Sequence, residues 1–572
     1  MTELTTPPPP IKETKAQRSE RLKIEKNPWE AWEEVRQFAR DGRSAVLPEW
    51  AEFYFKWWGV YTQGDGVGVT GGKDGQGKAS EFFMMRIGLP NGLLTSQQLR
   101  VIGDLTRKYA RNLADITTRQ NIQLHWLTIA ALPEIVDALT EIGLSPKGAC
   151  GDVVRNVTGC PLAGVDAHEL IDSSPLALEI ARKLTANPEF YNLPRKFKIT
   201  VSGCPVWCSY PEINDVGLTA IRRGDEVGYT LRVGGGLSTE PHIAVRIPVF
   251  IPQTKAIEVV EAVLRIFKEQ TALRENRTRA RLKYLFLKHG WTAESMLEAI
   301  EEKLGYRLDP SPGTDDATPD DVYRDHIGVT PQRQSSLSAV GASVLRGRLS
   351  GDQLIQLADL AEEFGDGHLR ATIMQNILVA NVPNARTREV VERLNQIGLR
   401  VEVSPFWRGA IACTGTEFCK LAIAETKSFS KWLVSEMEER IPGFDQQIRL
   451  HVTGCTNSCG QSWIADIGLE GKKIKKDGAM VDAFYFCVGG AIGKYAGIAR
   501  QIGFRAAAED CPDAIERLLR AYLAVREPGE DLRAYFARND DETLRSQLAG
   551  TVVASVERDA PPVGAGRHAP VE

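Results

Sequence analysis

The sequence repeats itself, and this duplication limits the folds that the chain can adopt. Residues 92–144 align without a gap on residues 347–399, with 17 identical pairs in 53 positions. Residues 199–218 align on residues 450–469 with 8 identities in 20 positions. Because both repeats occur in the same order, the chain of 572 residues is one duplicated unit with two similar halves.

Each copy of the first repeat has the pattern of a helix, a strand and a second helix. Leu99 and Ile102 have helical spacing, residues 121–128 alternate as a strand, and residues 133–142 are again helical. A preceding strand at residues 82–88 would complete half of a ferredoxin-like sheet. The predicted fold class is therefore α+β and internally duplicated. It has ferredoxin-like half-domains and two α/β domains related by pseudo-twofold symmetry.

An acidic, proline-rich stretch separates the two halves and defines the expected domain boundaries. We expect residues 1–27 to form a disordered or draped arm, and the tail after Val556 to be disordered. The expected divisions are 1–80 for the N-terminal arm and packing segment, 81–146 for the first half-domain, 147–308 for the first α/β domain, 309–325 for the linker, 326–402 for the second half-domain, 403–530 for the second α/β domain and 531–572 for a C-terminal segment and tail.

Composition excludes several classes of protein. The net charge of −4 argues against a nucleic-acid partner. No run of about 18 apolar residues is present to span a membrane, and the N-terminus lacks the apolar stretch of a secretory signal. Ten cysteines in a chain of this length are not a disulfide scaffold. We therefore expect a reducing, cytoplasmic location, where thiols serve metal or redox chemistry.

Four cysteines in the second half are spaced as metal ligands. Cys413 and Cys419 form a C-x5-C pair, and Cys455 and Cys459 form a C-x3-C pair. Four thiols converging from two loops are typical of a [4Fe–4S] cluster. A zinc site would more often use C-x2-C pairs. The alternative without a metal is a set of four unrelated buried thiols.

The first half keeps only part of this cysteine pattern. Cys204 and Cys208 align on the C-x3-C pair, but no C-x5-C pair accompanies them. We interpret them as a relic of the duplication with buried or free thiols. A second cluster is the less favoured alternative. Spacing assigns no role to the remaining cysteines, which are Cys150, Cys160, Cys487 and Cys511.

Positive charge lies in those loops of the first half that correspond to the cluster loops. Arg155 lies in one of them, Lys196 and Lys198 precede the strand predicted at residues 199–203, and Arg86 lies on a neighbouring strand. Taken singly, each is more often a solvated surface charge. Four cations that converge on one point need a bound anion, so the repeat predicts an anion pocket.

One face of the strand in the first repeat is polar. Arg119, Asn121, Gln123 and His125 are two residues apart and point to the same side. The matching positions of the second copy are mainly apolar. A solvated outer face is one explanation, and a platform of donors for a large polyanionic ligand is the other.

Together these features resemble the ferredoxin-dependent nitrite reductases and the related sulfite reductase hemoproteins, from Trp57 to about residue 500. The motifs that carry the resemblance are Thr118-Arg119-Gln120-Asn121, Val154-Arg155-Asn156, Pro161-Leu162-Ala163-Gly164, Asn192-Leu193-Pro194-Arg195-Lys196, the Cys413–Cys419 loop and the loop from Thr453 to Gln461. The resemblance implies siroheme beside one [4Fe–4S] cluster, with Cys459 as the axial thiolate shared with the siroheme iron. In this family the two α/β domains are the siroheme and iron–sulfur domains.

The resemblance also implies roles for individual residues. The residues implied to surround the substrate and act in catalysis are Arg86, Arg155, Lys196 and Lys198. The residues implied to bind the cofactor are Arg119, Asn121, Gln123, His125, Asn457 and Gln461. The residues implied to hold the cluster are Cys413, Cys419, Cys455 and Cys459.

Two substrates occur in this family, and the motifs point to both. Lys198 completes a Lys-x-Lys pattern that resembles sulfite reductases, whereas nitrite reductases usually have Asn at this position. The loops around Arg155 and Ser458-Cys459-Gly460-Gln461 look more like nitrite reductases. The expected function is the assimilatory six-electron reduction of nitrite to ammonium, and the alternative is the reduction of sulfite to sulfide.

The electron donor is inferred from what the sequence lacks. Its glycine-rich segments do not have the G-x-G-x-x-G context of a nucleotide-binding domain. Electrons should then come from ferredoxin or a similar small carrier, which could dock on basic runs at residues 274–288 or 472–476. We expect a monomer. The alternatives from other classes are a non-catalytic iron–sulfur or heme-binding sensor and a zinc-stabilised structural protein.

Overall fold

The computed structural model describes residues 13–64, 81–206, 208–311, 313 and 324–551. Residues 1–12, most of the predicted linker and the predicted tail after Val556 lie outside the described residues. Within the described part, no helix combines the length and the apolar character needed to cross a membrane.

The N-terminal segment is helical and packs on the rest of the protein. Its elements are α1 (Lys15–Glu25), α2 (Trp32–Asp41), α3 (Pro48–Glu52) and β1 (Val60–Gln63). A capping box between Thr14 and Gln17 begins α1. Lys23 on this helix donates to the carbonyl of Leu193 at 2.8 Å and lies 3.2 Å from Asp152. In its described part, the arm is therefore an ordered helix held on the first α/β domain.

The first half-domain contains two helices packed on a sheet. Its elements are β2 (Phe82–Ile87), β3 (Leu93–Thr95), α4 (Ser96–Tyr109), β4 (Ala114–Ile116), β5 (Ile122–Leu127) and α5 (Ala131–Glu141). Helix α4 begins at a capping box between Thr95 and Gln98 and buries Leu99, Ile102 and Leu105. The helix and strand expected from the hydrophobic spacing are present.

The first α/β domain follows. Its elements are β6 (Thr158–Gly159), α6 (Ser174–Leu184), β7 (Ile199–Ser202), β8 (Val216–Arg223), β9 (Glu226–Val233), β10 (Val245–Pro252), α7 (Ala256–Glu269), α8 (Tyr284–Lys288), α9 (Ala293–Leu304) and β11 (Asp309–Pro310). The strand order in its sheet is β11-β10-β9-β8-β7-β6. The first two residues of the predicted linker thus pair with β10.

The second half repeats this plan. Its half-domain contains β12 (Gly328–Pro331), β13 (Leu337–Ala342), β14 (Arg348–Leu349), α10 (Gly351–Phe364), β15 (His368–Ala371), β16 (Ile377–Pro383) and α11 (Thr387–Gln396). Its α/β domain contains α12 (Pro405–Arg408), β17 (Ala410–Ala412), α13 (Lys427–Arg440), β18 (Leu450–Thr453), β19 (Ile467–Lys476), β20 (Ala479–Val488), β21 (Arg500–Ala507), α14 (Cys511–Val525), α15 (Leu532–Arg538) and α16 (Asp541–Ala549). Leu532 and Leu544, from the expected C-terminal segment, lie in the core of this domain.

The two half-domains exchange strands. One sheet has the order β1-β2-β5-β4-β14 and the other has the order β12-β13-β16-β15-β3. Strand β3 of the first half therefore pairs with β15 of the second, and β14 of the second pairs with β4 of the first. A single hydrophobic core joins both half-domains and the N-terminal segment. Neither half completes its sheet alone.

Aligned glycines let the backbones cross closely at this exchange. Gly92 and Gly347 have φ values of 70° and 68°. A Cβ at Gly92 would lie 2.2 Å from the carbonyl oxygen of Ala371, and a Cβ at Gly347 would lie 2.5 Å from that of Ile116. Glycine avoids both the clash and the cost of the left-handed conformation. The repeat keeps these glycines because the two halves touch here.

Aligned glutamines then bridge the crossing. Nε2 of Gln120 donates to the carbonyl of Ala371 at 2.9 Å, and its Oε1 accepts from the amide of Gly159 at 3.0 Å. Nε2 of Gln375 donates to the carbonyl of Ile116 at 3.0 Å. Its Oε1 accepts from the amide of Ala412 at 3.1 Å. Each glutamine thus ties a half-domain to the α/β domain of its own half and to the opposite half-domain.

The first two strands of each α/β sheet are parallel. Strand β6 pairs with β7, and β17 pairs with β18, so their carboxyl ends lie at the same edge of each sheet. The loops that leave these ends carry cysteines in both halves. Ligands of open α/β sheets bind at the carboxyl ends of the strands, so the fold places the candidate ligand loops there.

Replacing Gln375 should destabilise the junction. Gln375→Ala leaves two buried backbone groups without partners, at about 1–3 kcal/mol each, so we expect the free energy of unfolding to fall by about 2–6 kcal/mol. Urea unfolding followed by tryptophan fluorescence measures this change. The exposed Gln396→Ala in α11 is the control and should change it by less than about 0.5 kcal/mol. Equal stability of the two variants would contradict the bridging role.

Candidate active site

Two adjacent loops of the second half bring the four clustered cysteines together. Cys413 directly follows β17, and Cys455 follows β18 after one residue. Because these strands are parallel neighbours, both loops begin at one edge of the sheet. The amide of Gly454 donates to Sγ of Cys413 at 3.1 Å, which links the two loops. The side-chain amide of Asn457 donates to Sγ of Cys455 at 3.5 Å.

The four thiols form one electrostatic group. The pKa of Cys419 is raised to about 12 and that of Cys455 to about 11, mainly by burial and partly by the charge of the Cys459 thiolate. Burial and the same thiolate also raise the pKa of Cys413. Thiols must lose their protons to bind a metal, and the positive charge of bound iron would offset the repulsion between the neighbouring thiolates. Cys459 is exposed, so the open side of the group lies at this residue.

A buried ionic network holds the Cys413–Cys419 loop. Arg348 pairs with Glu417 in this loop at 2.9 Å and with Asp115 of β4 at 3.0 Å. Lys427 lies 3.6 Å from Asp115. Burial opposes ionisation of Asp115, but Lys427 and Arg348 hold its pKa well below the usual range. The cluster loop is thus fixed to the junction between the half-domains.

His125 belongs to this network. Its Nε2 lies 3.1 Å from Asp115, its Nδ1 lies 2.9 Å from Gln63, and its ring stacks on Phe418 with centroids 4.2 Å apart. The ring is fully buried, and both nitrogens have protein partners. The structure therefore places His125 against the cluster loop, where it can orient Phe418.

Four cations lie on the first-half side of Cys459. Nε of Arg155 donates to the carbonyl of Ala149 at 3.1 Å, and its amide donates to Phe197 at 2.8 Å. Arg86 donates to Gln123 at 2.6 and 3.0 Å. Among the described residues, no carboxylate pairs with either arginine. Their charges are held in place without being neutralised.

Lys196 and Lys198 are half-buried and have no side-chain hydrogen bond or ion pair with any residue that the structure describes. Burial and the charge of Arg281 lower the pKa of Lys196 to about 7, although the charge of Cys459 opposes this shift. Burial and Lys196 lower the pKa of Lys198. An anion between these ammonium groups would relieve both effects.

Arg281 binds the carboxylate with which Lys198 would otherwise pair. Arg281 was not identified as part of the site from the sequence alone. The repeat aligns Lys198 on Arg449, which pairs with Asp466 at 2.9 Å. In the first half, Asp215 occupies the position of Asp466, but Arg281 binds it at 2.8 and 3.2 Å. Lys198 keeps only the backbone contact, from its amide to Asp215 at 2.8 Å. The repeat aligns Lys198 on Arg449, which has a carboxylate partner. This alignment could have indicated that another cation, here Arg281, binds the corresponding carboxylate of Asp215.

The polar positions before and along β5 are not one continuous strand face. Strand β5 starts at Ile122, so Arg119 and Asn121 precede it. Arg119 donates to Asn214 at 2.8 Å, and burial followed by Arg155 lowers its pKa to about 9. The hydroxyl of Thr118 donates to the carbonyl of Cys459 at 3.3 Å, which brings this turn to the cluster loop.

Several predicted cofactor-binding residues have buried polar atoms without a partner in the described part of the chain. These atoms are Nε of Arg119, Oδ1 of Asn121 and Oε1 of Gln461. An unpaired buried polar atom costs about 1–3 kcal/mol, so their presence is consistent with a polar ligand that supplies the missing hydrogen bonds. Asn457 is exposed beside Cys455.

Family comparisons agree with this arrangement. The model described as the nitrite and sulphite reductase 4Fe-4S domain matches residues 150–308 and 404–550. The model described as the nitrite/sulfite reductase ferredoxin-like half domain matches residues 74–142 and 330–397. Each model matches twice, once in each half, which confirms the predicted duplicated fold class.

Individual proteins cover nearly the whole chain. A sulfite reductase [ferredoxin] 1 of Mycolicibacterium paratuberculosis is 36% identical over 92% of this chain and 96% of its own length. An assimilatory ferredoxin-dependent nitrite reductase of Haloferax mediterranei is 36% identical over 88% of both chains. The solved structure of the NirA protein of Mycobacterium tuberculosis matches with a TM-score of 0.87, 34% identity and coverage of 92% of this chain and 97% of that one.

A duplicated fold with 4Fe-4S domains and four gathered cysteines defines an iron–sulfur oxidoreductase. The chain belongs to the nitrite and sulphite reductase family. The predicted family is thereby confirmed.

Removing one cluster thiol should remove iron. We expect Cys419→Ser to lose most of the cluster iron, because a serine hydroxyl ionises far less readily than a thiol and is a poor iron ligand. Iron analysis and the visible absorbance of the purified protein measure the loss. Cys511→Ala, at a buried thiol outside the site, should retain its iron. Full iron content in Cys419→Ser would contradict the ligand assignment.

Proposed function

We propose that this protein is an assimilatory reductase that converts nitrite to ammonium at a siroheme coupled to one [4Fe–4S] cluster. The observation that carries the proposal is the group of unneutralised cations around Cys459, formed by Arg86, Arg155, Lys196 and Lys198. Buried cations without carboxylate partners are costly unless an anion binds. Both the substrate and the carboxylate-rich cofactor are anions.

The residues present fit siroheme. The unpartnered buried atoms of Arg119, Asn121 and Gln461 would bind its polar edge, with Gln123 and Asn457 nearby. Because Asp115 and Gln63 already engage His125, we assign this residue to orienting the cluster loop under the cofactor. When bound, siroheme supplies an iron coordination position for a small anion and accepts electrons from the cluster.

The four cysteines would hold the cluster, and Cys459 would provide the axial thiolate. Cys459 is the exposed member of the group. Its charge acts on Lys196 and, together with that of Cys419, on Arg86. One thiolate shared by both centres would let electrons pass between them without a gap.

The cations of the first half would bind the substrate and deliver protons. Nitrite reduction to ammonium and two waters consumes six electrons and eight protons. The guanidinium of Arg155 keeps its charge and would fix the orientation of the anion. Lys196 has a pKa near neutrality because it is buried beside other cations, so it can give and regain a proton and is the proposed donor.

Nitrite is the proposed substrate because the loops around Arg155 and Ser458-Cys459-Gly460-Gln461 resemble nitrite reductases. One observation favours sulfite as a second candidate. Arg281 neutralises Asp215, so Lys198 is free to face an anion. Sulfite is largely a dianion near neutral pH and nitrite is a monoanion, so an additional ammonium group strengthens sulfite binding more.

Ferredoxin is the proposed electron donor, as in the names of the relatives. Neither basic run of the sequence is a row of free charges. Arg277 and Arg281 bind Asp152 and Asp215 in the interior, and Lys473 and Lys476 have acidic partners. Both runs are therefore weak candidates for the docking surface of the carrier.

Steady-state rates on nitrite and on sulfite with reduced ferredoxin test the proposal directly. We expect turnover on both anions, a higher kcat/KM for nitrite, and siroheme absorbance in the purified protein. Siroheme-loaded protein that turns over neither anion would overturn the proposed function, and faster sulfite turnover would select the second candidate.

Lys198 should set the preference between the anions. We expect Lys198→Asn to lower kcat/KM for sulfite about tenfold more than that for nitrite, which corresponds to about 1.4 kcal/mol. The ratio of the two kcat/KM values is the measurement. Lys255→Asn changes a partly exposed lysine paired with Glu258 and should keep the ratio of the wild type. An unchanged ratio in Lys198→Asn would refute the role.

Arg281 should act through Lys198. In Arg281→Gln, Asp215 loses its partner, so Lys198 should turn to it and sulfite turnover should fall as in Lys198→Asn. The double variant Arg281→Gln with Asp215→Asn removes the competing carboxylate and should recover the sulfite rate. A double-mutant cycle of Arg281→Gln with Lys198→Asn, followed by kcat/KM for sulfite, measures the coupling between Arg281 and Lys198. Additive losses would show that Arg281 acts independently of Lys198.

A further inference from the structure

The first half contains a cysteine that corresponds to Cys413. Strand β6 pairs with β7 in the same register in which β17 pairs with β18: Gly159 lies opposite Val201, and Ala412 lies opposite Val452. The residue that follows each pair is Cys160 in the first half and Cys413 in the second.

Three of the four cluster positions are therefore cysteine in both halves. Cys160, Cys204 and Cys208 occupy the positions of Cys413, Cys455 and Cys459. The spacing within the C-x5-C pair places Asp166 at the position of Cys419. The thiols of the first half thus form a site, whereas spacing alone had suggested an incomplete relic.

The ligand atoms of this site are closely grouped. Cys160, Cys208 and His326 have their ligand atoms within 4.8 Å of one another, and so do Cys160, Asp166 and Cys204. All five residues are buried. Within the described part of the chain, these two triads have all their ligand atoms within 4.8 Å of one another. No three of Cys413, Cys419, Cys455 and Cys459 lie that close together. The two triads share only Cys160, so Cys204 does not lie within that distance of both Cys208 and His326. An ion bound by Cys160, Cys208 and His326 would need Cys204 to move toward it to become the fourth ligand.

His326 provides independent evidence for a ligand. Its Nε2 is buried and has no hydrogen-bond partner among the described residues, and the residue is 8% exposed. Its φ is 61°, a conformation that is uncommon for a residue other than glycine and that often occurs at functional sites. Gly341 accommodates this backbone, since a Cβ there would lie 1.8 Å from the carbonyl oxygen of His326.

We propose that Cys160, Cys204, Cys208 and His326 bind one zinc ion. Three thiolates and one imidazole are a common ligand set of tetrahedral structural zinc, with Zn–S bonds of about 2.3 Å and Zn–N bonds of about 2.0 Å. Asp166 is already engaged by Arg324 at 3.0 Å, so His326 completes the set. Cys208 and Arg324 also line a cavity beside the site.

The zinc ion would join the two halves of the protein. His326 is in the short segment before β12, and the three cysteines are in the first α/β domain. Binding replaces three thiol protons and ties the start of the second half to the first. Its place is the pseudo-twofold equivalent of the iron–sulfur cluster, so one duplicated site would hold two different metals. The inference does not depend on the proposed substrate or donor.

Metal analysis and zinc K-edge X-ray absorption of the purified holoprotein test the site. We expect about one zinc per chain, with a first shell of three sulfurs at about 2.3 Å and one nitrogen at about 2.0 Å. Cys208→Ser and His326→Ala should each lower the zinc content at least about fivefold. The siroheme and cluster absorbance should remain and report an intact fold.

Matched controls separate the site from other thiols and imidazoles. Cys487→Ala changes a buried thiol in β20, and His368→Ala changes an exposed imidazole paired with Asp366 at 2.9 Å. Both should keep the zinc. The wild-type absorption spectrum decides the question even if a site variant does not fold. Substoichiometric zinc, a first shell of oxygen ligands, or more iron than one siroheme and one four-iron cluster require would overturn the proposal.

Discussion

Two glutamines hold the halves of this protein together, and the site depends on their junction. Gln120 and Gln375 each bind the amide that starts a ligand loop and a carbonyl of the opposite half. Both are buried, and both have positive φ, 56° and 63°. Each glutamine side chain binds both a ligand loop and a strand end of the opposite half. Movement of a ligand loop relative to the exchanged strands would therefore break these hydrogen bonds.

On this symmetric frame, the two halves differ mainly in charge. In the second half Arg449 pairs with Asp466, whereas in the first half Arg281 pairs with Asp215 and Lys198 has no ion pair with any described residue. The cysteines with raised pKa values lie in the second half, and the cations without carboxylate partners among the described residues lie in the first half. In the proposed site, the cluster cysteines would therefore lie on one side and an excess of positive charge on the other.

The duplication and the four cysteines of the second half could be predicted, because repeats and short spacings are visible in one dimension. Other features needed three dimensions. Cys160 was missed because its partner positions come from strand register and not from spacing. His125 belongs to an alternating pattern of polar residues in the sequence, but in the structure its ring lies against the buried carboxylate of Asp115. Arg281 lies 66 residues from Asp215, and a pairing over that distance leaves no local pattern.

The strand exchange also has a consequence for how the protein is made. When only the first half has been translated, β4 has no β14 beside it. Arg348, which anchors the cluster loop, has also not yet been translated. The Cys413–Cys419 loop is fixed by Arg348, which also pairs with Asp115 of the first half. This loop can therefore take its final position only after Arg348 has been translated, and until then the nascent chain has an unpaired edge at β4 that could pair with other chains.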